Sequence, residues 1–418
     1  ARPERILELF PDAVYENRFG TVALGRGNEL HEITTFRSDH DYADFRRPHR
    51  VEFGDRIEDD LARRDFTINA MAWGADAPPP GEGAAGVSAA GVSAPVAAPV
   101  PRLVDPHGGQ IDISTRTLRA VGDPGARFEE DALRMVRAIR LATTLDIGIE
   151  ASTLAAIQAH AGLVERLSGE RLAAELDKLL AAPRPSVGLR LLEGTGVLAV
   201  LSPELAAQQG IPQDKTAGED LWDHTVRTVD AVPADRPVVR LAALLHDIGK
   251  PATMAEGHFI GHDTVGAEIA GTFLRKLRYP KAVTERVVHL IAHHMFAYDE
   301  SWGDSGVRRF IRRIGRESLE PLFDLREADN EGSGQPRESH GLAELRRRVA
   351  EQLEARAALD RGDLAIDGQD LITELGLTQG PRLGTILDEL LERVISDPEM
   401  NDRPTLLLLA QAMLADIR

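Results

Sequence analysis

Apolar and polar positions divide the chain into a mixed front part and a helical remainder. Residues 1–10, built around ERILELF, space their apolar side chains as a short amphipathic helix does. Val14–Leu24 and Leu30–Phe36 alternate apolar and polar positions, which predicts two strands joined by a turn at Gly25–Asn28. A polar segment, Ser38–Arg50, follows with Asp41, Tyr42, Arg46 and Arg47. Ile57–Ala72 has helical spacing and opens on Glu58, Asp59 and Asp60, the charge sign a helix N-terminus favours. Leu103–Ile113 predicts a hairpin turning at residues 105–109, and Thr117–Val121 a further strand. Gly122, Asp123 and Pro124 break that strand, and Arg127–Arg140 is spaced as a helix. Ala151–Ala161, Gly169–Leu180 and Ser186–Leu192 continue the helical period, as does the chain beyond them.

Composition changes this picture in three ways. The chain is 418 residues long, too long for one core, and suggests two to four domains. Gly74–Pro101 is low complexity, with PPPGEG and two copies of GVSA, and predicts a disordered insertion between strands. The net charge of −18 argues against a wholesale electrostatic grip on nucleic acid. Only five residues are lysine, so most positive charge is arginine, which suits bidentate phosphate contact. With no cysteine there is no disulfide and no thiolate metal site, which fits a reducing, cytoplasmic setting. The start shows no signal-peptide pattern, and no apolar run approaches the roughly 20 residues of a membrane span.

Candidate chemistry begins at Asp131 and Arg134, three apart and so on one face of the expected helix. A carboxylate accepts from an exocyclic amino group, and a guanidinium donates to the ring nitrogen beside it. Cytosine and adenine both offer that order, whereas uracil and guanine set a carbonyl against the carboxylate. The pair therefore suits C and A; the same spacing also suits an ordinary intrahelical ion pair.

The strings RRDFTINAMA (63–72) and EDALRMVRAIR (130–140), in this order, resemble the class II tRNA nucleotidyltransferases, the CCA-adding enzymes and their bacterial poly(A) polymerase relatives. The resemblance implies an α+β protein: a small mixed-sheet nucleotidyltransferase palm over 1–125, a helical neck with the base-reading helix over 126–210, an HD domain over 211–335 and a helical, tRNA-binding tail over 336–418. It implies that Arg63 and Arg64 reach the triphosphate of CTP or ATP, and that Asp65 and Asn69 orient its sugar and nearby side chains. Asp131 and Arg134 would read the base, and Arg137 and Arg140 would extend their face toward phosphates. Glu32, in HEITTFR, matches an acidic position near the metal-binding strand and is the expected catalytic support for Mg²⁺; a solvent-facing strand glutamate is the alternative. The family's GGxxRD turn and DxD strand lie before the point where this sequence begins, so the expectation is a truncated palm or a lost activity.

Leu221–Asp329 holds seven histidines, 224, 246, 258, 262, 289, 293 and 294. His224, His246–Asp247 in LLHDIGK, and Asp329 follow the H…HD…D order of the HD superfamily of metal-dependent phosphohydrolases. Imidazoles and carboxylates suit a second divalent metal, Mn²⁺, Mg²⁺, Ni²⁺ or Fe. His262, His293 and His294 are open between a second ligand set, substrate contacts and structural roles. SGER at 168–171 with Glu175 resembles a segment that braces the neck. The arginine-rich Val307–Arg316 and Leu345–Arg348 are candidates for tRNA backbone contact or solvated faces. The tail Leu364–Ile395 with Asn401 resembles the segment that lies along the tRNA elbow. The leading expectation is template-independent addition of C and A to tRNA 3′ ends. Poly(A) polymerase is the close alternative, and an HD phosphohydrolase with an RNA-binding palm is the distant one.

Overall fold

The structure, a computed structural model, describes residues 2–15, 20–27, 29–42, 48–75, 101–212, 218–339, 341–355 and 358–415. It divides into two compact units, Ala1–Pro203 and Glu204–Arg418.

The first unit opens with α1 (Pro3–Leu9), whose Ile6 packs on Ala13, Val22 and Leu24. The sheet beside it is antiparallel in the order β1 (Val14–Tyr15), β2 (Thr21–Arg26) and β3 (Glu29–Thr34). The single strand expected over Val14–Leu24 is thus two, because Gly20 takes a left-handed φ of +87° before β2 starts. The polar segment after it forms a second hairpin, β4 (Arg37–Tyr42) with β5 (Pro48–Phe53); Arg46 and Arg47 lie outside the described residues.

The helix expected over Ile57–Ala72 is only α2 (Ile57–Ala62). Its continuation is captured by another strand-like segment. Phe66 is extended and fully buried, bridges Ala120, and is flanked by Thr67 N–H donating to Arg119 O (3.0 Å) and Val121 N–H donating to Asp65 O (3.1 Å). One 3₁₀ turn, Thr67–Asn69, leads to β6 (Ala72–Ala75), which pairs antiparallel with β7 (Pro101–Val104). Most of the low-complexity stretch, 76–100, lies outside the described residues.

The hairpin expected over Leu103–Ile113 is a strand followed by a helix, α3 (Gly109–Ser114). Asp105 diverts the chain by accepting from the N–H groups of Gly109 (2.7 Å) and Gln110 (2.9 Å). Gly109 is required there, since a Cβ would press on Thr67 O and stand 2.8 Å from Met71. Then β8 (Thr117–Leu118) pairs parallel with β9 (Gly148–Ile149). Between them the one helix expected over Arg127–Arg140 is two, α4 (Pro124–Glu130) and α5 (Leu133–Leu145). The unit continues with α6 (Ala151–His160), α7 (Gly169–Leu180), α8 (Pro185–Gly194) and α9 (Val197–Leu201).

Following α10 (Pro203–Ala206), helices joined by turns and loops make up the described part of the second unit. Its first group is α11 (Leu221–Ala231), α12 (Pro237–Leu245), α13 (Lys250–Thr253), α14 (His262–Lys276), α15 (Lys281–His293), α16 (Asp304–Ile314), α17 (Leu319–Gly332) and α18 (Leu342–Glu354). An Asp220–Asp223 capping box starts α11, and Trp222, with no exposed surface, anchors it. The last three helices, α19 (Gly368–Leu375), α20 (Pro381–Ser396) and α21 (Arg403–Ala415), enclose a separate core around Leu371, Leu390, Ile395 and Leu406.

Candidate functional site

Two groups of side chains carry chemistry, one in each unit. The first lies where α2 ends and α4 breaks into α5. Asp60, buried near the end of α2, accepts from Arg63 Nε (3.1 Å) and Nη2 (2.6 Å) through Oδ1, and from Arg64 Nη2 (3.3 Å) through Oδ2. Arg64 Nη1 also donates to Asn69 O (3.2 Å). Asp65 Oδ1 accepts from Asn69 Nδ2 (3.1 Å) and from its neighbour's N–H, while Arg137 Nε meets its Oδ2 at 3.0 Å. Asp65 and Asn69 do meet, then, but across a 3₁₀ turn rather than along a helix face.

The expected helix-face pairing of Asp131 with Arg134 is not what the chain forms. Asp131 leaves the helix, with φ −148° and ψ 102°, and its Oδ1 caps Leu133 N–H at 3.1 Å. Its Oδ2 accepts from Arg171 Nη2 on α7 at 2.6 Å. Arg134 donates to Glu130 Oε2 (2.6 Å), Arg127 O (3.1 Å) and Arg63 O (3.1 Å), the last tying it to the end of α2. The two groups therefore flank one helix break, each held from behind by a different partner. Arg140 points elsewhere, donating to Glu175 Oε2 at 2.8 Å in a pair whose side chains are 14% and 8% exposed. That pair and Arg171–Asp131 brace α7 against α5 and the α4–α5 break.

Glu32 stands exposed on β3, opposite Ala23. Among the described residues, the groups of three or more His, Cys, Asp or Glu that could hold an ion all lie in the second unit. The described part of the first unit shows no such group.

The second group is a buried cluster at the ends of α11, α12, α14, α15 and α17. His224, His246 and Asp329 form one set of ligand atoms and Asp247, His262 and His294 another, each within 4.8 Å. His224 Nε2 is 3.1 Å from His246 Nε2 and 3.2 Å from Asp329 Oδ1; His262 Nε2 is 3.3 Å from His294 Nε2. Asp247 lies between the sets, with Oδ2 at 3.1 Å from His246 Nε2 and Oδ1 at 3.5 Å from His262 Nε2. Adjacent His246 and Asp247 both reach the cluster because α12 ends at Leu245. Gly249 permits the close packing: a Cβ there would press on His262 O and stand 2.5 Å from Gly266 N.

These residues fit a divalent ion. His246, His262 and His294 each place Nδ1 at 2.7–2.8 Å from a backbone carbonyl, of Ala243, Phe259 and Ile291. Each Nδ1 must carry the proton, so each Nε2 offers a lone pair inward, the metal-binding tautomer. Two such lone pairs facing each other repel unless a cation separates them. Burial lowers the pKa of His246 and His262. Burial acts the same way on His224, but the Asp247 and Asp329 carboxylates outweigh it and raise its pKa. Burial pushes Asp247 up, yet His246 and Lys250 hold it well below the usual carboxylate range. Its buried Oδ2 has no well-directed hydrogen bond, although Lys250 Nζ stands 2.7 Å away. A cleft of about 530 Å³ opens onto the cluster and is lined by Asp247, Lys250, His262, Arg326 and Asp329 among others. His293 is outside the cluster, its Nδ1 2.9 Å from His289 O, and His289 Nε2 is 2.8 Å from Ile314 O.

The arginine-rich segments are turned to partners. Arg308 is buried and donates to Ile395 O (2.7 Å); Arg309 and Arg312 pair with Glu392 on α20; Arg346 pairs with Glu327 and Arg348 with Asp304. Asn401 joins the tail by donating to Asp363 O (2.9 Å) and accepting from Ala365 N–H (2.8 Å).

Sequence reasoning missed Asp60, read only as part of an acidic helix start. Its offsets of three and four from Arg63 and Arg64 were the available signal.

Three stretches of the chain match family models. Residues 1–119 match the poly A polymerase head domain, 146–209 the probable RNA and SrmB-binding site of polymerase A, and 215–331 the HD domain. The chain is 35% identical over 355 residues to the A-adding tRNA nucleotidyltransferase of Deinococcus radiodurans, covering 80% of this chain and 75% of that protein. It is 34% identical to the CC-adding tRNA nucleotidyltransferase of Thermus thermophilus, covering 81% and 73%. The crystal structure of the Bacillus stearothermophilus CCA-adding enzyme in complex with CTP superposes with a TM-score of 0.68 at 26% identity, covering 100% of this chain and 87% of that one. The chain belongs to the tRNA nucleotidyltransferase and poly(A) polymerase family, here with an HD domain.

Proposed function

We propose that this protein adds C and A nucleotides to tRNA 3′ ends without a nucleic-acid template. The observation that carries this is the placement of Asp131 and Arg134 on either side of one helix break, with Arg134 tied to the carbonyl of Arg63. A base reader and a pair of arginines suited to a triphosphate are thus held together by one hydrogen-bonded segment. The relatives support tRNA as the acceptor, since all three carry tRNA or CCA addition in their names. In this reading Arg63 and Arg64 take the phosphates, Asp65, Asn69 and Arg137 fix the sugar side, and Asp131 and Arg134 select the base. Mg²⁺, which in nucleotidyl transfer neutralises phosphate charge, would need ligands beyond the described residues of the first unit.

The test is nucleotide selection by the whole chain. CTP and ATP should bind more tightly than UTP and GTP by about 1–3 kcal/mol, the worth of one good bidentate base contact. In Arg134→Ala that gap should close, and an unchanged gap would sink the base-reader assignment. Incubation with tRNAs ending before CCA, before the final A, or with the end complete then separates the family's activities. Incorporation of A alone onto tRNA ending in CC would make this an A-adding enzyme, and long runs of A a poly(A) polymerase.

A second reading attaches to the HD cluster, because Asp247 stands within 3.5 Å of both His246 Nε2 and His262 Nε2, one from each set. A divalent ion held by His224, His246, Asp247 and Asp329 would supply an acidified water for attack on a phosphoester. His262 and His294 complete the second set, and Lys250 and Arg326 give the cleft cationic groups for a phosphate. Metal-dependent hydrolysis of a 2′,3′-cyclic phosphate that disappears in His246→Ala would support this activity. Hydrolysis that survives the substitution would reject it.

A further inference from the structure

The arginines assigned above to the triphosphate present a geometric difficulty. Consecutive residues at a helix end project about 100° apart, and two guanidinium charges repel, so nothing intrinsic brings Arg63 and Arg64 onto one anion. Asp60 solves both problems at once. Three residues before one arginine and four before the other, its carboxylate is the single group on α2 that reaches both. One oxygen takes two N–H groups of Arg63 and the other takes Nη2 of Arg64. Side-chain exposure rises in step, from 7% for Asp60 to 20% for Arg63 and 46% for Arg64, so the carboxylate lies beneath and the guanidiniums outward.

A negative charge beneath a phosphate site is of the wrong sign for attraction. Whatever it contributes to binding must come from geometry. A guanidinium has five N–H donors in a rigid fork, enough to engage a carboxylate on one edge and a phosphate on another. We propose that Asp60 is a positioning residue that preorganises Arg63 and Arg64 for the triphosphate of the incoming nucleotide. This rests on the nucleotidyltransferase reading above. The backbone ties add to the effect, since Arg64 Nη1 is held by Asn69 O and the Arg63 carbonyl by Arg134. Loss of Asp60 removes the one acceptor the two heads share, leaving Arg63 Nε on Arg37 O (3.2 Å) and Arg64 Nη1 on Asn69 O, while the base-reading side chains keep their own partners, Arg171 and Glu130.

The experiment compares CTP with CMP, each with excess Mg²⁺, by equilibrium binding to the full chain and to Asp60→Ala. The wild-type chain should bind CTP more tightly than CMP. Asp60→Ala should weaken CTP about tenfold, leave CMP unchanged, and keep the preference for CTP over UTP. Asp60→Asn, which retains an acceptor for Arg63 but loses the charge, should fall between the two and serves as the variant if alanine prevents folding. If CTP affinity is unchanged or rises in both variants, or CTP and CMP weaken together, Asp60 has no positioning role. If the wild-type chain itself does not distinguish CTP from CMP, the triphosphate reading fails first. The two failures are therefore separable.

Discussion

Glu150 illustrates how far one side chain can be committed to local structure. It precedes α6 and accepts from Thr153 N–H at 2.8 Å, Ser152 Oγ at 2.7 Å and Thr153 Oγ1 at 3.0 Å. Burial pushes its pKa up, but these bonds outweigh it and bring the value from 4.5 to about 2. A depressed carboxylate stabilises the fold above its unfolded pKa, and that stability is lost as pH falls. Denaturation of Glu150→Gln should thus show a deficit of about 1 kcal/mol at neutral pH, the usual worth of an N-cap. The deficit should shrink as pH falls from 4.5 toward 2. A pH-independent deficit would mean that the charge is irrelevant. Gly249 makes a steric demand instead: Gly249→Ala must move His262 O and Gly266 N, and overpacking of this kind costs about 1–3 kcal/mol. Thermal melting should locate that loss in the HD unit.

At the level of elements, the largely buried Arg140–Glu175 pair is expected to join α5 to α7. Removing Arg140 leaves the buried Glu175 carboxylate with only Lys178 Nζ 3.9 Å away, so Arg140→Ala should cost about 3 kcal/mol, whereas Arg140→Met combined with Glu175→Leu should recover most of it. A guanidinium free to serve nucleotide phosphates would instead reduce binding with little effect on melting. Arg140 also marks where reading the sequence stops. Its helical spacing was legible, but which arginine finds a carboxylate depends on Glu175, 35 positions later in the chain. The same limit explains α16, whose basic stripe is answered by Glu392 on α20. The helices from Ala151 onward were readable because burial imposes the 3.6-residue period on their apolar positions. The α2 boundary and the helix at Gly109 were not, since Phe66 pairs with the remote Ala120 and Asp105 caps backbone groups that nothing in the apolar pattern signals. His224, His246, Asp247 and Asp329 were legible as candidate ligands, and their convergence with His262 and His294 is a matter of packing. That Asp247 would sit between two sets follows only from the packing of α15 on α12 and of α14 on α13 and α15.

For the molecule as a whole, the HD cluster ties stability to its surroundings. A metal that binds the folded cluster and not the unfolded chain raises stability by about 2.7 kcal/mol at a concentration 100-fold above its Kd. Mn²⁺ should raise the melting temperature of the second unit and a chelator should lower it, and titration calorimetry should lose one binding step in His262→Ala. An unshifted melting curve would show that the imidazoles serve packing alone. The pairing of β6 with β7 has a different kind of consequence. Because Ala75 lies opposite Pro101, the two ends that segment 76–100 must join stand side by side, and the strand register is set by the residues flanking it. Loop closure grows only logarithmically with length, so replacing the segment by a four-residue turn should gain roughly 1.5 kcal/mol. By the same arithmetic a longer passenger costs little. The edge of this small hairpin is a port through which a reporter or a second domain can be spliced into the chain with its fold intact.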